Sequence, residues 1–392
     1  MDVERAPLTS KGSPRFQIRY ESSAPVSFEN GDLSFESESG IVRAGGWATN
    51  VWKDASNPVR AIVLSAMVFF SIGTLLIAFA GIRNVAATSS NELSFFVLGD
   101  WGRQGTENQT LVATLMGKKA AHLRPGFVIS TGDNMYPNGL NSTGDPLFLQ
   151  SFSSVYSAKG LQVPWHAVLG NHGYGDGFEY CENDASSPCA RGPLHLLSAD
   201  LTARDWRWHC ERSYTESFLD GLVEFFFVDT SPFILEYHDR SWAKYDGGIL
   251  QQNWEVQIKE VEARLASSKA LWKLMIGHHP PRSNGVHGNN TEIMLHLEPL
   301  MVRYGVSAYF AGHDHNLEHL QLNENGLNIF VSGGGSDCDR GFNTVVDAKF
   351  QYPQQGFAAA TISDKELKVS FYTLESGMNA AYTATVLPPS KN

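Results

Sequence analysis

The chain has 392 residues, 42% of them hydrophobic and 18% charged, and a formal net charge of −11. That is enough apolar material for one large domain or two ordinary ones with appendages. The acidic balance excludes a nucleic-acid-binding class, which carries the opposite sign, and the part beyond residue 82 alone has 33 acidic and 23 basic residues.

Residues 1–60 are rich in Ser, Gly, Pro and Glu and show no sustained apolar period, which predicts a disordered tail. Ala61–Ile82 follows, 22 residues without a charge, long enough as a helix to cross hydrocarbon about 30 Å thick. We read it as one transmembrane signal-anchor, because a cleavable leader would not begin sixty residues into the chain. Arg43, Lys53 and Arg60 precede the span and only Arg83 follows closely, which places the N-terminus in the cytosol. The remainder then faces a lumen or the exterior, as a type II protein of the secretory or endolysosomal system or the cell surface. The three N-x-S/T sequons, at Asn108, Asn141 and Asn289, all lie downstream and predict N-glycans. The four cysteines, Cys181, Cys189, Cys210 and Cys338, are on the same oxidising side. Of three possible pairings, Cys181 with Cys189 closes the shortest loop and leaves Cys210 to Cys338.

After a linker at 83–91, one domain is predicted over 92–392. Apolar runs at Phe95–Leu98, Phe127–Ser130, His166–Leu169, Val223–Val228, Leu271–Ile276, Val306–Phe310 and Asn328–Val331 read as strands. A helix is expected over Glu107–His122, and Leu250, Trp254, Ile258, Val261 and Leu265 form one apolar helical stripe. Gly173–Ala203 lacks periodicity and reads as a long surface loop. Phe357–Ile362 and Leu367–Leu374, separated by Ser363-Asp-Lys-Glu, read as a hairpin. The fold class is α/β, a layered sheet sandwich with helices outside.

Five of the strands run into short glycine-flanked polar clusters. These are Gly99-Asp100-Trp101-Gly102, Gly132-Asp133-Asn134-Met135-Tyr136, Gly170-Asn171-His172, Gly277-His278-His279 and Gly312-His313-Asp314-His315. Strand ends of a layered α/β domain converge on one edge, where ligands bind. Taken singly, a Gly-Asp after a strand is a turn with an Asx hydrogen bond. Taken together, the carboxylates, amide, phenol and imidazoles form an oxygen and nitrogen donor set for hard or borderline cations, with no thiolate, large enough for two metals sharing a carboxylate.

The ordered set GDWG, GDNMY, GNH, GHH and GHDHN resembles the signature of the calcineurin-like metallophosphoesterases, and of purple acid phosphatases in particular, over most of residues 93–340. Tyr136 narrows the resemblance, because serine/threonine protein phosphatases have no metal-ligating tyrosine there. The resemblance implies a calcineurin-like β-sandwich in which Asp100, Asp133, Tyr136 and His315 hold Fe(III). Asp133 as bridge, with Asn171, His278 and His313, would hold a second divalent metal, Fe, Zn or Mn. It further implies acid-range hydrolysis of a small phosphomonoester or phosphoprotein by metal-bound hydroxide, with His172 and His287 as outer proton donors or charge partners. One departure is Gly173, where the family places an acidic residue to orient the preceding histidine; Asp176 is the nearest substitute. Arg282 is expected to help turn the cleft positive.

The other histidines, including His166, His209 and His319, match no motif role, and His279 is read as shaping the pocket. Ser332-Gly-Gly-Gly-Ser336 lacks the lysine and helix of a P-loop and reads as a turn near the site. Two rival readings share these residues. One is a phosphodiesterase, nucleotidase or protein phosphatase on the same core; the other is a non-catalytic metal-binding surface protein, whose mark would be missing ligands.

Overall fold

The computed structural model describes residues 26–29, 32–37, 40–44, 92–176, 192–244, 246–322, 326–338, 340–343 and 347–389. The predicted anchor and linker, Cys181 and Cys189 lie outside them. Among the described residues no helix is long and apolar enough to cross a membrane.

Met1–Thr88 and Ser89–Asn392 are two compact units. In the first, β1 (Val26–Glu29), β2 (Asp32–Ser37) and β3 (Gly40–Ala44) pair antiparallel in that order, within the stretch expected to be a disordered tail.

The second unit is a sandwich of two seven-stranded mixed sheets. One contains β4 (Glu92–Leu98), β5 (Phe127–Ser130), β6 (Trp165–Ala167) and β7 (Trp208–Cys210), all parallel, flanked beside β4 by β15 (Gly356–Ser363), β16 (Leu367–Thr373) and β17 (Tyr382–Val386). The other contains β8 (Ser213–Phe218), β9 (Val223–Val228), β10 (Trp272–Ile276), β11 (Val306–Ala311), β12 (Leu317–Gln321), β13 (Asn328–Ser332) and β14 (Ala348–Tyr352), in the order β14-β12-β13-β11-β10-β9-β8. Within it β9, β10, β11 and β13 run parallel.

The period of two along each strand sorts residues between two cores. Phe95 and Val97 of β4 join Phe127, Phe225, Phe310 and Phe330 between the sheets, whereas Phe96 and Leu98 face outward beneath the helices. Helix α1 (Gln109–Leu123) covers that outer face with Val112, Leu115, Met116 and Ala120. It starts two residues later than predicted, because Glu107 and Asn108 adopt left-handed φ values of 48° and 63° that a helix cannot accommodate. After the short helical turn α2 (Asn171–Tyr174), α3 (Trp254–Ser267) presents the expected stripe without Leu250. Asn253 caps α3, its side chain accepting from Val256 N at 3.0 Å, so Leu250 falls in the preceding 3-10 turn and is exposed.

The Gly173–Ala203 loop is shorter than predicted. Gly192–Leu196 and Ala199–Arg204 are helical, the second capped by Ser198, with Leu196 and Leu201 buried. The β15–β16 hairpin forms as read, with Ile362 opposite Leu367. Cys210 is a buried free thiol on β7, so its pairing with Cys338 is not formed.

Candidate metal centre

The parallel strands of both sheets end at the same edge of the sandwich, and the five polar clusters follow those ends. Asp100, Asp133 and Asn171 come after β4, β5 and β6 of one sheet; His278, His313 and His315 come after β10 and β11 of the other. Three of the clusters leave their strands by a sharp turn. Asp100, Asp133 and His313 have φ of 61°, 48° and 69°, a left-handed conformation that costs about 1–3 kcal/mol in a non-glycine residue and persists where the surroundings enforce it. The glycines beside them admit the carboxylates: a Cβ on Gly170 would collide with Asp133 Oδ1, and one on Gly312 with Asp100 Oδ2.

All seven predicted ligands come together. Tyr136 Oη lies 3.2 Å from Asp100 Oδ1, 3.2 Å from Asp133 Oδ2 and 3.1 Å from His315 Nε2. His278 Nε2 lies 2.9 Å from Asn171 Oδ1 and 3.3 Å from Asp133 Oδ2. The His313 ring is centred 5.1 Å from that of His278. One oxygen, Asp133 Oδ2, therefore belongs to both groups. The other, Oδ1, is held by the backbone N–H of His172 at 3.0 Å, and Asp100 accepts the His313 N–H at 3.0 Å.

The donor set fits cations. His278 Nδ1–H donates to the Thr131 carbonyl at 2.9 Å, which leaves the Nε2 lone pair facing two acceptors, Asn171 Oδ1 and Asp133 Oδ2. Converging lone pairs require a positive charge among them. Without a metal a proton takes that part: burial alone would lower the His278 pKa, but Asp133 and Asp100 beside it hold it up at about 9. Burial likewise drives Asp100 and Tyr136 well above their ordinary ranges, whereas Asp133 is held low, against its burial, by His278 and His172. Separations of 2.9–3.5 Å among the donor atoms are those of neighbours around an ion with bonds of about 2.1 Å.

His172 and His287 both line a cleft of about 530 Å³ above these residues. His172 Nδ1–H donates to the Pro137 carbonyl at 2.6 Å, so that carbonyl, and not Asp176, fixes its tautomer and turns Nε2 to within 3.8 Å of Asp133 Oδ2. Asp176 instead accepts from Asn171 Nδ2 at 3.0 Å, aiming Asn171 Oδ1 at His278. Asp176→Ala is accordingly expected to weaken metal binding at the Asn171–His278 group about 10- to 100-fold and to leave the Tyr136 group unaffected, read by metal titration. His287 packs its ring 4.2 Å from His313 and receives a hydrogen bond from Arg340 at Nε2, 3.0 Å. His279 is engaged at both ring nitrogens, by Thr230 Oγ1 at 2.9 Å and Tyr237 Oη at 3.0 Å, in keeping with a pocket-shaping part.

Arg282 does not face the cleft; it forms a two-point pair with Glu298, at 2.9 and 3.1 Å. The cleft's cations are Arg240 and Arg340, and Arg103 stacks on the Tyr136 ring at 3.7 Å. None of the three lies in a cluster that the motif reading recognised as carrying chemistry. Ser332–Ser336 is a turn at the site, with Ser336 Oγ donating to the Asp100 carbonyl at 2.5 Å.

Residues 93–317 match the calcineurin-like phosphoesterase family model, more than half of the chain, and the chain belongs to that family. Relatives narrow the class. Purple acid phosphatase 3 of Arabidopsis thaliana is 40% identical over 293 residues, covering 71% of this chain and 74% of the relative. Human tartrate-resistant acid phosphatase type 5 is 28% identical, covering 74% and 89%. The chain is thus a metallophosphoesterase of the purple acid phosphatase family. Among solved structures the fold is similar to that of GAP50, the anchor in the inner membrane complex of Plasmodium, with a TM-score of 0.61 at 22% identity over 76% of this chain and 90% of that one.

Proposed function

We propose that the chain hydrolyses phosphate monoesters in acid at a dinuclear centre of Fe(III) and a divalent Fe, Zn or Mn ion. The observation that carries this reading is Asp133 Oδ2, set 3.2 Å from Tyr136 Oη and 3.3 Å from His278 Nε2, where one carboxylate would be shared by two neighbouring cations. Asp100, Tyr136 and His315 would complete the iron side; Asn171, His278 and His313 would complete the divalent side. The metal pair, when bound, supplies Lewis acidity toward a phosphoryl oxygen and lowers the pKa of water.

The chain's own residues do the rest. His172 presents Nε2 to the cleft with its tautomer set by Pro137, in position to hold a proton for phosphate or leaving group. Arg340, hydrogen-bonded to His287 Nε2 where both line the cleft, supplies positive charge to the ester oxygens, and His287 positions it. Arg103 over the Tyr136 ring favours the phenolate over the phenol. The open rim admits a small phosphomonoester or a phosphorylated side chain of a protein.

Ala61–Ile82 serves as a type II anchor that presents this unit to a lumen or the cell exterior. The exposure of Asn108, Asn141 and Asn289 supports N-glycans there.

The test is release of phosphate from p-nitrophenyl phosphate by the full chain across pH, beside Tyr136→Phe, with visible spectra of both. The expected result is acid-range turnover and a purple band that the variant lacks. A colourless, active wild-type protein would overturn the iron-phenolate assignment; a coloured, inactive one would overturn the phosphatase reading.

A further inference from the structure

A second group of ligating side chains lies outside the cleft. His166 and His209 are direct register partners on β6 and β7. Their neighbours Trp165, Ala167, Trp208 and Cys210 face the outer core, so both imidazoles turn to the inner side, with ring centres 5.4 Å apart. There the edge of the sandwich is closed by β8, the edge strand of the other sheet, which follows β7 after only Glu211 and Arg212. Glu216 of β8 points its carboxylate between the rings. Its Oε1 lies 3.8 Å from His166 Nδ1 and 3.7 Å from His209 Nε2, while Glu211 Oε1 approaches His209 Nε2 from outside at 3.6 Å.

The ordinary explanation of a core histidine, a ring tied down by hydrogen bonds, fails for His166. The residue is 8% exposed and its Nδ1 is buried without a hydrogen-bond partner, directed at Glu216. Phe127, Phe218 and Phe227 wall the ring in, with centres 5.4, 6.2 and 5.9 Å away. Burial first, and His209 second, push the His166 pKa down to about 4, so the imidazole is in its neutral, ligating form above that pH.

Two imidazole nitrogens and a carboxylate, with donor atoms all within 4.8 Å of one another, form a borderline donor set without sulfur. Around zinc, tetrahedral neighbours with bonds of about 2.0–2.1 Å stand about 3.4 Å apart. The two distances from Glu216 need to contract by only a few tenths of an ångström, and the imidazole nitrogens already stand within 4.8 Å of each other. We propose that His166, His209 and Glu216 bind a zinc ion, with Glu211 or water at the fourth position, and that this ion fastens the edge of one sheet to the edge of the other. The site is distinct from the dinuclear cleft, whose lining includes none of these residues.

The test titrates zinc chloride into the full chain whose cleft metals have been loaded and counted by elemental analysis. Wild type, Glu216→Gln and His209→Ala are compared by calorimetry and thermal melting. Wild type is expected to take up one further equivalent with a dissociation constant of about 1 μM or below, and to melt several degrees higher when zinc is saturating. Each variant is expected to lose affinity for that equivalent at least about 100-fold and to lose the melting shift, with p-nitrophenyl phosphate turnover unchanged. The readout is the difference between wild type and variants, so it stands whatever the cleft holds. Should one variant fail to fold, the other still decides. The proposal is overturned if wild type binds no further zinc, binds it only at millimolar concentration, or binds it no more tightly than the variants.

Discussion

Asp133→Asn is expected to lower turnover of p-nitrophenyl phosphate by about 10³-fold or more, and to leave the isolated protein with less than the full complement of the two proposed metals. The carboxylate has two separate tasks, one per oxygen. Oδ1 receives the His172 backbone N–H at 3.0 Å, which an amide oxygen can still do. Oδ2 sits 3.2 Å from Tyr136 Oη and 3.3 Å from His278 Nε2, and in the variant this position carries an NH2 group that donates and cannot ligate. The substitution is isosteric and sits at the end of a strand whose backbone pairing it does not touch, but it removes the carboxylate that faces the buried His278 imidazole, so the thermal transition of the metal-free protein should also fall. Turnover within about tenfold of wild type, with both metals retained, would remove Asp133 from the bridging role.

Gly312→Ala is the second large effect, and it involves no ligand. The added methyl group would overlap Asp100 Oδ2 and stand 3.0 Å from Thr131 Oγ1, so the Asp100 carboxylate must leave its place 3.2 Å from Tyr136 Oη. Misplacing a ligand by about 1 Å costs about 10²-fold in rate. The visible band expected of the proposed iron centre should shift or fade in parallel, because that centre would lose an oxygen donor. Gly144→Ala is the matched control, since nothing lies closer than 3.7 Å to its added methyl group. Equal activity in the two variants would show that the close approach at Gly312 is without consequence.

Most of the site was legible because it is local in sequence. Each ligand stands within a few residues of an apolar run, and the strand edge brings the runs together. Buried parallel strands such as β5 and β9 were read with their observed bounds because both of their faces are apolar. Strands with polar residues turned inward were not. In β12, Glu318 and His319 are buried, Glu318 satisfied by Ser283, Asn284 and Asn316 and His319 by Tyr382 and Asn328, so the apolar period is interrupted by residues that have found partners. The edge strands β14 and β17 are largely exposed or half-buried and carry no apolar run that would have marked them. β7 and β8 were missed for a related reason: His209 and Glu216 occupy the inner face, where an apolar residue would have marked the strand. The replacement of Asp176 by Pro137 as the partner of His172, and of Arg282 by Arg340 in the cleft, depends on contacts between distant segments, for which spacing carries no signal.

The placement of β15 beside β4 gives the centre an order of manufacture. All seven proposed ligand positions have been synthesised once His315 is made, but β4, the strand that leads to Asp100, still lacks its neighbour. That neighbour, Gly356–Ser363, comes from nearly the end of the chain and supplies no ligand. Ser332 Oγ, bonded to the Val97 carbonyl at 2.8 Å and receiving the Ala358 N–H at 3.2 Å, ties β13, β4 and β15 together in the same late step. The nascent protein therefore holds a full parts list before it holds a frame, and the C-terminal hairpin acts as the keystone of a centre it never touches.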